Sequence, residues 1–490
     1  MSSSAHGART NLARIACDAM IERGLEPEFP DAVRRELAAI AGPATEADAR
    51  IVDLRALPWC SIDNDDSLDL DQLTTSQTLA EGAVRIRVAI ADVDALVSKG
   101  SAIDGHARLN TTSVYTSARV FPMLPERLST DLTSLNPGQD RLALVTEMVV
   151  ADDGTVSGAS VHRALVRNQA KLAYDAVSDW IMGVGGLPLP AAAVDGMAAQ
   201  LRTQDAVAQR LRARRHAQGS LEFETFQPRA LFEGERVVDI RQQEQNRARQ
   251  LIEELMIATN TATAHCLASR GGASIRRVVR SPERWLRIVD VARQHGVSLP
   301  KTPDSQALES FLAAQHRADP LRFPDLSLVI VKLMGAGEYV VERAGATPIG
   351  HFGLAVLDYT HSTAPNRRYP DLITLRMLKA LLAGTAPPYS LAELEALATH
   401  CSQQEDAARK VERRVRKSEA ALYLEPQIGR HFDALVTGRT DNAIWVRTLA
   451  PPVEGMLVGR LPRLDVGEQV RVKLHATNVE RGFIDFVIAP

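Results

Sequence analysis

The segment WCSIDNDDSLDLDQ, residues 59–72, decides how the rest of the chain is interpreted. It holds five aspartates within nine positions, at 63, 65, 66, 69 and 71. Carboxylates packed this densely repel one another, so such a cluster needs either a bound cation or full exposure to water. In an extended chain, Asp69 and Asp71 share one face while Leu70 points into the core. A turn would bring Asp63, which ends an apolar run, back beside them.

Three interpretations of this cluster compete. Asp63, Asp65 and Ser67 match the first ligand positions of an EF-hand loop, but Leu68 replaces the invariant glycine and Thr74 replaces the bidentate glutamate, so that interpretation fails. A solvated acidic turn is the usual fate of a run of charges. A site for a hard metal ion that binds phosphates is the third interpretation, because Mg²⁺ prefers carboxylates and water. Spacing alone leaves the last two open.

The segments that follow the cluster predict a mixed α+β fold. RIRVAIAD, residues 85–92, alternates apolar and polar side chains as a strand does, and residues 142–150 and 158–167 resemble it. Helical periodicity then takes over in residues 248–269, in residues 370–383 up to Gly384, and in residues 391–424 as one helix or two. Strands followed by helices are typical of α+β domains.

Both ends of the chain differ from this central region. Residues 1–48 predict a small helical unit, which is either a helix-turn-helix that binds RNA or a structural cap. Residues 425–490 contain five short alternating runs separated by turn signals, which favour an OB-fold barrel. Any small barrel without a ligand is the alternative. The predicted division is therefore 1–48, 49–424 and 425–490.

Composition excludes several classes of protein. The chain has 490 residues, 45% of them hydrophobic, and a net charge of −3, so it is neither disordered nor a strongly basic coat for nucleic acid. Four dispersed cysteines without a C-x-x-C pair argue against a zinc ribbon and for a reducing compartment. The sequence shows neither a signal peptide nor a long apolar run. We therefore expect a cytoplasmic protein without a membrane segment.

Ordered motifs connect the aspartate cluster to a known family. The pattern I-D-x5-D-x-D at residues 62–71 resembles the catalytic signature of the RNB domain in the ribonuclease II family. Further stretches resemble that family in the same order along the chain: VAIADV (88–93), FPMLPERLSTDLTSLNP (121–137), LIEELMIATN (251–260) and HFGLAVLDYTHSTAPNRRYPDL (351–372). The barrel at the end also fits, because family members end in an RNA-binding barrel.

The resemblance implies an enzyme. A family member of this type would be a processive 3′→5′ hydrolytic exoribonuclease that uses Mg²⁺ to release nucleoside 5′-monophosphates from single-stranded RNA during RNA turnover. Whether Mn²⁺ replaces Mg²⁺ stays open. Residues 49–424 would be the RNB catalytic domain, in a short form without the family's N-terminal cold-shock domains. We expect a monomer without an obligate protein partner.

The resemblance also assigns roles to individual residues. It implies that Asp63, Asp69 and Asp71 hold the metal ion and that Arg367 stabilises charge on the phosphoryl oxygens. The RNA-binding residues that it implies, aromatic or charged, are Tyr115, Tyr174, Phe223 (with Phe226 as the competing choice), Glu254, Glu412 and Arg368. Part of the basic run ARKVERRVRK, residues 408–417, should line the RNA path.

One departure from the family pattern bears on activity. The signature usually ends in a fourth aspartate, and this chain has Gln72 there. An amide brings no charge, so either Asp65 or Asp66 replaces it, or the metal ion binds differently, or activity is reduced. The alternative function is therefore an RNA-binding protein whose RNB centre is disabled. The arginine motif also differs, with Asn366 in place of isoleucine.

Overall fold

A computed structural model describes residues 7–489, except for residues 225–227, 235, 243–244, 344, 441–442, 460–462 and 465. The chain begins with two helices, α1 (Ala8–Glu22) and α2 (Asp31–Ala39). Residues 1–48 thus contain helices, as the sequence predicts, and Gly24 turns the chain between them with a positive φ of 74°.

A seven-stranded sheet forms the centre of the protein. Its strands, and the elements between them, are β1 (Val52–Asp53), β2 (Cys60–Asp63), β3 (Gln72–Thr78), β4 (Val84–Ala91), α3 (Ala102–Asn110), the hairpin β5 (Val114–Tyr115) and β6 (Val120–Phe121), β7 (Asp140–Val150), β8 (Val156–Arg167) and β9 (Ala170–Ala173). The strand order is β1-β8-β7-β4-β3-β2-β9. The strands predicted at 85–92, 142–150 and 158–167 are confirmed as β4, β7 and β8.

Helices cover one face of this sheet. The chain continues through α4 (Tyr174–Ile181), α5 (Leu189–Ala192), α6 (Met197–Ala217), the hairpin β10 (Pro228–Glu233) and β11 (Arg236–Gln242), and α7 (Arg247–Ser269). Ile86, Val88 and Ile90 of β4 pack in one core with Leu201 of α6 and Leu255 of α7. The apolar side chains that alternate along β4 therefore face these helices, because every second side chain of a strand points to the same face.

Three helices form a separate unit, which we call the helical lobe. They are α8 (Trp285–Gln294), α9 (Ser305–Ala318) and α10 (Phe323–Met334), and they lie between the two strands of a ribbon, β12 (Ser274–Val278) and β13 (Glu338–Glu342). Ile288, Phe311 and Ile330 contribute to a core of the lobe's own.

The second face of the sheet is covered by α11 (Tyr369–Ala383) and α12 (Leu391–Leu424). Ala89 and Ala91 of β4 share a core with Leu372 and Leu397 of these helices. α11 ends at Gly384, whose positive φ of 67° allows the helix to stop there, as the sequence predicts. The sequence leaves open whether residues 391–424 form one helix or two, and the structure has one helix of 34 residues.

A closed barrel follows α12. Its strands are β14 (His431–Arg439), β15 (Ile444–Thr448), β16 (Glu454–Leu457), β17 (Gln469–Asn478) and β18 (Phe483–Ile488), in the order β14-β15-β16-β18-β17. Val446 and Phe486 are buried in its core together with Ala421 and Leu424 from the end of α12. The predicted five-stranded barrel is confirmed, and the whole fold is mixed α and β.

The two N-terminal helices are attached to different parts of the body. α1 packs against α12, and α2 packs against α3. In a helix-turn-helix motif, by contrast, the two helices pack against each other. This arrangement favours the structural cap over the RNA-binding interpretation of residues 1–48.

A buried arginine ties α11 to the rest of the body. Arg376 is 3% exposed and donates to Asp104 at 2.7 Å, to Asp94 at 2.8 Å and to the phenol oxygen of Tyr389 at 2.7 Å. Removing one partner of a buried ion pair leaves the other charge uncompensated. We expect Arg376→Leu to lower the free energy of unfolding by about 3–5 kcal/mol in chemical denaturation.

The exposed pair between Arg343 and Glu395 gives the control for this prediction. Their side chains are 65% and 50% exposed, so Arg343→Leu should cost at most about 1 kcal/mol. Equal losses for the two variants would contradict the anchoring role of Arg376.

Candidate active site

Two neighbouring strands bring the aspartates to one end of the sheet. Asp63 is the last residue of β2, and Asp71 immediately precedes β3. Because β2 and β3 are antiparallel, the end of one lies beside the beginning of the other. The loop between them carries Asp69.

Ser134 holds this loop in place. Its hydroxyl donates to the carbonyl of Leu68 at 2.7 Å and accepts from the amide of Leu70 at 3.0 Å. Leu70 is buried in the sheet core, as the sequence predicts. At the start of the loop, one carboxylate oxygen of Asp63 accepts from the amide of Asn64 and from the hydroxyl of Ser67. Asp69 and Asp63 are therefore carried by a loop whose backbone is fixed at both ends.

Asp71 is fully buried beside the arginine motif. One of its carboxylate oxygens accepts from the amide of Asn366 at 3.0 Å. The other, Oδ2, lies 3.2 Å from Nε of Arg367 but is without an aligned hydrogen bond among the described residues. Burial raises the pKa of Asp71 to about 7, because the attraction of Arg367 offsets only part of the lost hydration.

The chain around Arg367 is tied to the strand hairpin. The carbonyl of Arg367 accepts from the amide of Ser113 at 3.0 Å and from the hydroxyl of Thr112 at 3.2 Å. Its side chain is 39% exposed, so the guanidinium reaches both the buried carboxylate and the space in front of it. Burial disfavours the charge, but the summed attraction of the surrounding acidic groups, Asp71 foremost, outweighs burial and raises the pKa of Arg367.

An open cavity of about 530 Å³ lies in front of these groups, and we call it the inner cavity. Its lining includes Asp66, Asp69, Tyr115, Arg367, Glu412, Arg416 and Glu419. The phenol of Tyr115 donates to Asp69 at 3.3 Å, and the backbone amide of Tyr115 donates to Glu412 at 3.1 Å. Burial raises the pKa of Tyr115 to about 12, so this ring remains a neutral phenol near pH 7.

Tyr174 lies on the other side of the aspartate loop. The guanidinium of Arg249 sits over its ring at 4.4 Å and donates to the side chain of Asn64 at 2.8 Å. This contact places Tyr174 next to Asp63. Arg249 is a residue that the sequence analysis did not select, and its position four residues before Glu253 on α7 gave no signal of its contact with residue 64.

The structure places Glu254 in an ion pair. Both oxygens of Glu254 are paired with Arg215, one of them at 2.9 Å, and the side chain is buried. The neighbouring Glu253 is exposed at the surface of α7. Partial loss of hydration and the nearby charge of Glu254 raise the pKa of Glu253. Glu253 is therefore the glutamate of this pair that is open to a ligand. The motif E-E cannot distinguish the two residues by sequence.

The structure does not bring Phe223 to the aspartates. Phe223 packs against the core of the helical lobe, and its competitor Phe226 lies outside the described residues. Arg368 is also directed elsewhere, because it donates to the buried carboxylate of Asp371 at 2.7 Å. This ion pair fixes the start of α11, and an RNA contact of Arg368 stays a prediction.

Gln72 faces away from Asp71. It pairs in register with Ile90, and the hydroxyl of Thr74, two residues on, donates to Gln204 of α6. Alternation along the strand therefore puts Gln72 on the α6 face, whereas Asp71 and Leu73 lie on the opposite face. Asp65 and Asp66 are exposed, and Asp66 lines the inner cavity.

A second cavity of about 380 Å³ lies between α12, the helical lobe and the barrel, and we call it the outer cavity. The basic run on α12 contributes Arg413, Arg416 and Lys417 to its wall. Arg416 and Glu419 line both cavities, so the two are neighbours along α12. Other basic residues of the run form surface pairs, such as Lys410 with Asp406 at 2.6 Å.

Comparison with known proteins identifies the family. The sequence pattern of the RNB domain matches residues 51–384, and that of the RNase II-type exonuclease C-terminal S1 domain matches residues 430–489. The chain belongs to the RNB-domain family. Ribonuclease R of Vibrio cholerae is 31% identical to this RNB-domain chain over 94% of the chain and 59% of the relative. The chain thus spans about three fifths of the length of that curated relative.

Solved structures share the fold of this RNB-domain chain. Mycoplasma genitalium RNase R in complex with ribose-methylated single-stranded RNA has a TM-score of 0.88 at 22% identity, covering 98% of this chain and 78% of that one. Yeast Ssd1, described as a pseudonuclease, has a TM-score of 0.72 at 16% identity, covering 96% and 57%. At these identities the likeness speaks for the fold alone. Every helix in the described ranges is too short or too polar to cross a membrane.

The RNB-domain centre fits an open metal site better than a closed one. Within the part of the chain that the structure describes, no three carboxylate, imidazole or thiol groups converge closely enough to hold an ion. The predicted set of Asp63, Asp69 and Asp71 is therefore not gathered into one cage, and its metal role stays a prediction. Mg²⁺ usually needs only one or two carboxylates besides water and substrate phosphates. The buried Oδ2 of Asp71 supplies an oxygen that fits such a cation.

The burial of Asp71 predicts how the stability of the metal-free RNB-domain protein depends on pH. An unfolded aspartate has a pKa near 3.8 and folded Asp71 one of about 7, so charging Asp71 opposes folding increasingly between these values and fully above pH 7. At pH 8 the cost is roughly 4 kcal/mol. In EDTA, Asp71→Asn should remove this cost. The gain in its free energy of unfolding over that of the parent should shrink to about 1–2 kcal/mol at pH 5.

Denaturant titrations of both proteins at the two pH values measure this difference. The exposed Asp65→Asn serves as the matched control and should stay within about 0.5 kcal/mol of the parent at both. A stabilisation by Asp71→Asn that does not change with pH would refute the titration of Asp71.

Proposed function

We propose that this protein is a processive 3′→5′ hydrolytic exoribonuclease that acts on single-stranded RNA. It releases nucleoside 5′-monophosphates, uses Mg²⁺, and serves RNA turnover. The observation that carries the proposal is the contact of the buried Asp71 with Arg367, which is open on one side to the inner cavity. The 3′→5′ direction is what the ribonuclease II resemblance implies. Four free, dispersed cysteines favour the reducing cytoplasm as its location.

The carboxylates and the arginine divide the chemistry between them. Asp63, Asp69 and Asp71 would contribute oxygens to a Mg²⁺ site that water and substrate phosphates complete, and the bound ion would supply a Lewis acid for the phosphoryl oxygens and an activated water. Mn²⁺ is the alternative ion, to be tested alongside. Arg367 offers a planar, permanently charged donor to the phosphoryl oxygens as negative charge develops there. The amide of Asn366 keeps the Asp71 carboxylate turned toward that position.

Aromatic and acidic groups around the cavity position the last nucleotides. Tyr115 offers a half-exposed ring for base stacking, and Tyr174 offers another beside Asp63. Glu412 and Glu253 offer carboxylates to ribose hydroxyls, the groups that distinguish RNA from DNA. The RNA reaches them along the basic side of α12, where Arg413, Arg416 and Lys417 contact phosphates whatever the sequence.

The second candidate function is an RNA-binding protein with a silent centre. It is favoured by Gln72 and by the fold shared with the pseudonuclease Ssd1. The position of Gln72 on the sheet face opposite Asp71 argues against this candidate. The carboxylates and Arg367 on the side of the cavity are retained. The two candidates differ in whether Mg²⁺ makes bound RNA disappear.

The substitution Asp71→Asn separates these functions. On a 5′-labelled, unstructured 30-mer with Mg²⁺, the parent should yield a product of a few nucleotides without a ladder. Asp71→Asn should slow turnover by at least about a hundredfold while RNA affinity in EDTA changes less than about threefold, because the lost charge acts on the reacting phosphate. Sequencing gels and gel shifts give the two measurements.

Asp65→Asn is the control, because Asp65 belongs to the same loop but is exposed, and it should keep near-parental turnover. Intact RNA with a retained gel shift in the parent would support the silent-centre candidate, and Gln72→Asp would then be the next variant.

The ring of Tyr115 predicts the length of the final product. Tyr115→Ala should lengthen the smallest product, because the shortest RNAs lose the stacking that holds them, worth about 1–3 kcal/mol per base. Tyr115→Phe keeps the ring and loses the phenol's bond to Asp69, so its smallest product should have the same length as that of the parent. A smallest product whose length Tyr115→Ala leaves unchanged would exclude this residue from the RNA site.

A further inference from the structure

The barrel and the helical lobe face each other across the outer cavity. Each has its own core: Val446 and Phe486 belong to that of the barrel, and Phe311 and Ile330 to that of the lobe. An ion pair joins them. Nη1 of Arg447 on β15 lies 2.7 Å from Oδ1 of Asp325 in the first turn of α10, and Nη2 donates to Oδ2 at 3.0 Å.

This ion pair is sheltered on both sides. The side chains of Arg447 and Asp325 are 9% and 14% exposed. The charges that face it are Glu454, opposite Arg447 on β16, and Arg322, which precedes α10. The pair combines one charge-assisted hydrogen bond with a second close contact, and its shelter from water makes it stronger than an exposed pair.

The pair completes a circuit of contacts around the outer cavity. α10 is followed directly by β13, whose Tyr339 amide donates to Ser402 of α12 at 2.8 Å. At its other end, α12 packs Ala421 and Leu424 into the barrel core. The circuit therefore runs from α12 through the barrel, across the ion pair to α10, and through β13 back to α12. Arg447 and Asp325 both line the outer cavity, and the hairpin of β10 and β11 adds Ala230 and Ile240 to its wall.

We propose that the Arg447–Asp325 pair is a latch that closes the protein around the RNA strand and retains the strand between successive cleavages. This inference rests on the proposed function, because it takes the outer cavity as the RNA path. A strand enclosed by a continuous ring leaves only by sliding along its own length. A strand in an open groove can also leave sideways, and every sideways loss ends a round of degradation.

A direct contact of Arg447 with a phosphate is the competing explanation. Exchanging the charges at positions 325 and 447 distinguishes the latch from a direct phosphate contact. Asp325→Arg and Arg447→Asp each place like charges face to face and open the latch, whereas the double exchange restores an opposite pair. If Arg447 acts only on phosphate, the double variant stays defective, because position 447 then carries a negative charge.

The experiment measures the dissociation of a fluorescent 30-mer RNA from the full chain in EDTA, with excess unlabelled RNA as a trap. Each single variant should release the 30-mer about tenfold faster or more, since loss of a sheltered charge pair acts mainly on the off-rate. The double exchange should return the rate to within about threefold of the parent. Release of a 5-mer, which tests the inner cavity alone, should change less than about twofold in all variants.

Controls separate a latch from damage to the fold. Asp290→Asn removes an exposed pair with Arg293 inside the same lobe and should leave both off-rates unchanged. Asp325→Asn is the milder variant to use if a charge reversal unfolds. Failure of the double exchange to restore retention, or equal effects on the 30-mer and the 5-mer, would overturn the latch. Because these rates are measured without metal, a parent that binds RNA but does not cleave it would refute the proposed function and leave the latch intact.

Discussion

A carboxylate buried beside an arginine is the constraint on which the rest of the site depends. Burial deprives the Asp71 carboxylate of its hydration, and the attraction of Arg367 replaces only part of the lost hydration energy. The raised pKa of Asp71 indicates this imbalance. Such a group keeps its place only if its surroundings are rigid. The amide of Asn366 supplies one hydrogen bond, and the side chain of Asn366 is in turn bonded to Thr133. The end of the sheet and the start of α11 must therefore stay in register.

The helix α12 carries this constraint outward to the barrel. It begins with a capping box, in which Ser390 and Glu393 each bond to the other's backbone. Midway along, Glu412 fixes the backbone of Tyr115 at the inner cavity. Its last turns enter the barrel core. Since one helix contacts both cavities, the position of the barrel is coupled to the position of the Tyr115 ring.

The sequence predicted strands and helix ends, which depend on patterns over a few residues. It did not predict ion pairs between residues that are distant along the chain. The strand β4 and the end of α11 follow from alternation and from Gly384, which act over a few residues. The sequence analysis selected Glu254, and it could not foresee that this carboxylate pairs with Arg215 in another helix. The sequence likewise gave no sign that Arg368 pairs with Asp371 while its neighbour Arg367 lines the cavity. Adjacent residues on one motif can thus serve opposite purposes.

The charge at position 72 can be judged by the same physical argument. Gln72 is 5% exposed, so a carboxylate there would be a further buried negative charge one residue from Asp71. Like charges raise each other's pKa, and Asp69 already does so for Asp71. A fourth carboxylate would therefore keep Asp71 protonated to higher pH until a cation bound. An amide at this position weakens the pull on a cation, yet it leaves Asp71 easier to ionise near neutral pH. Glutamine in place of aspartate thus lowers the affinity of the site for a cation and makes Asp71 easier to ionise. It leaves the contact between Asp71 and Arg367 in place.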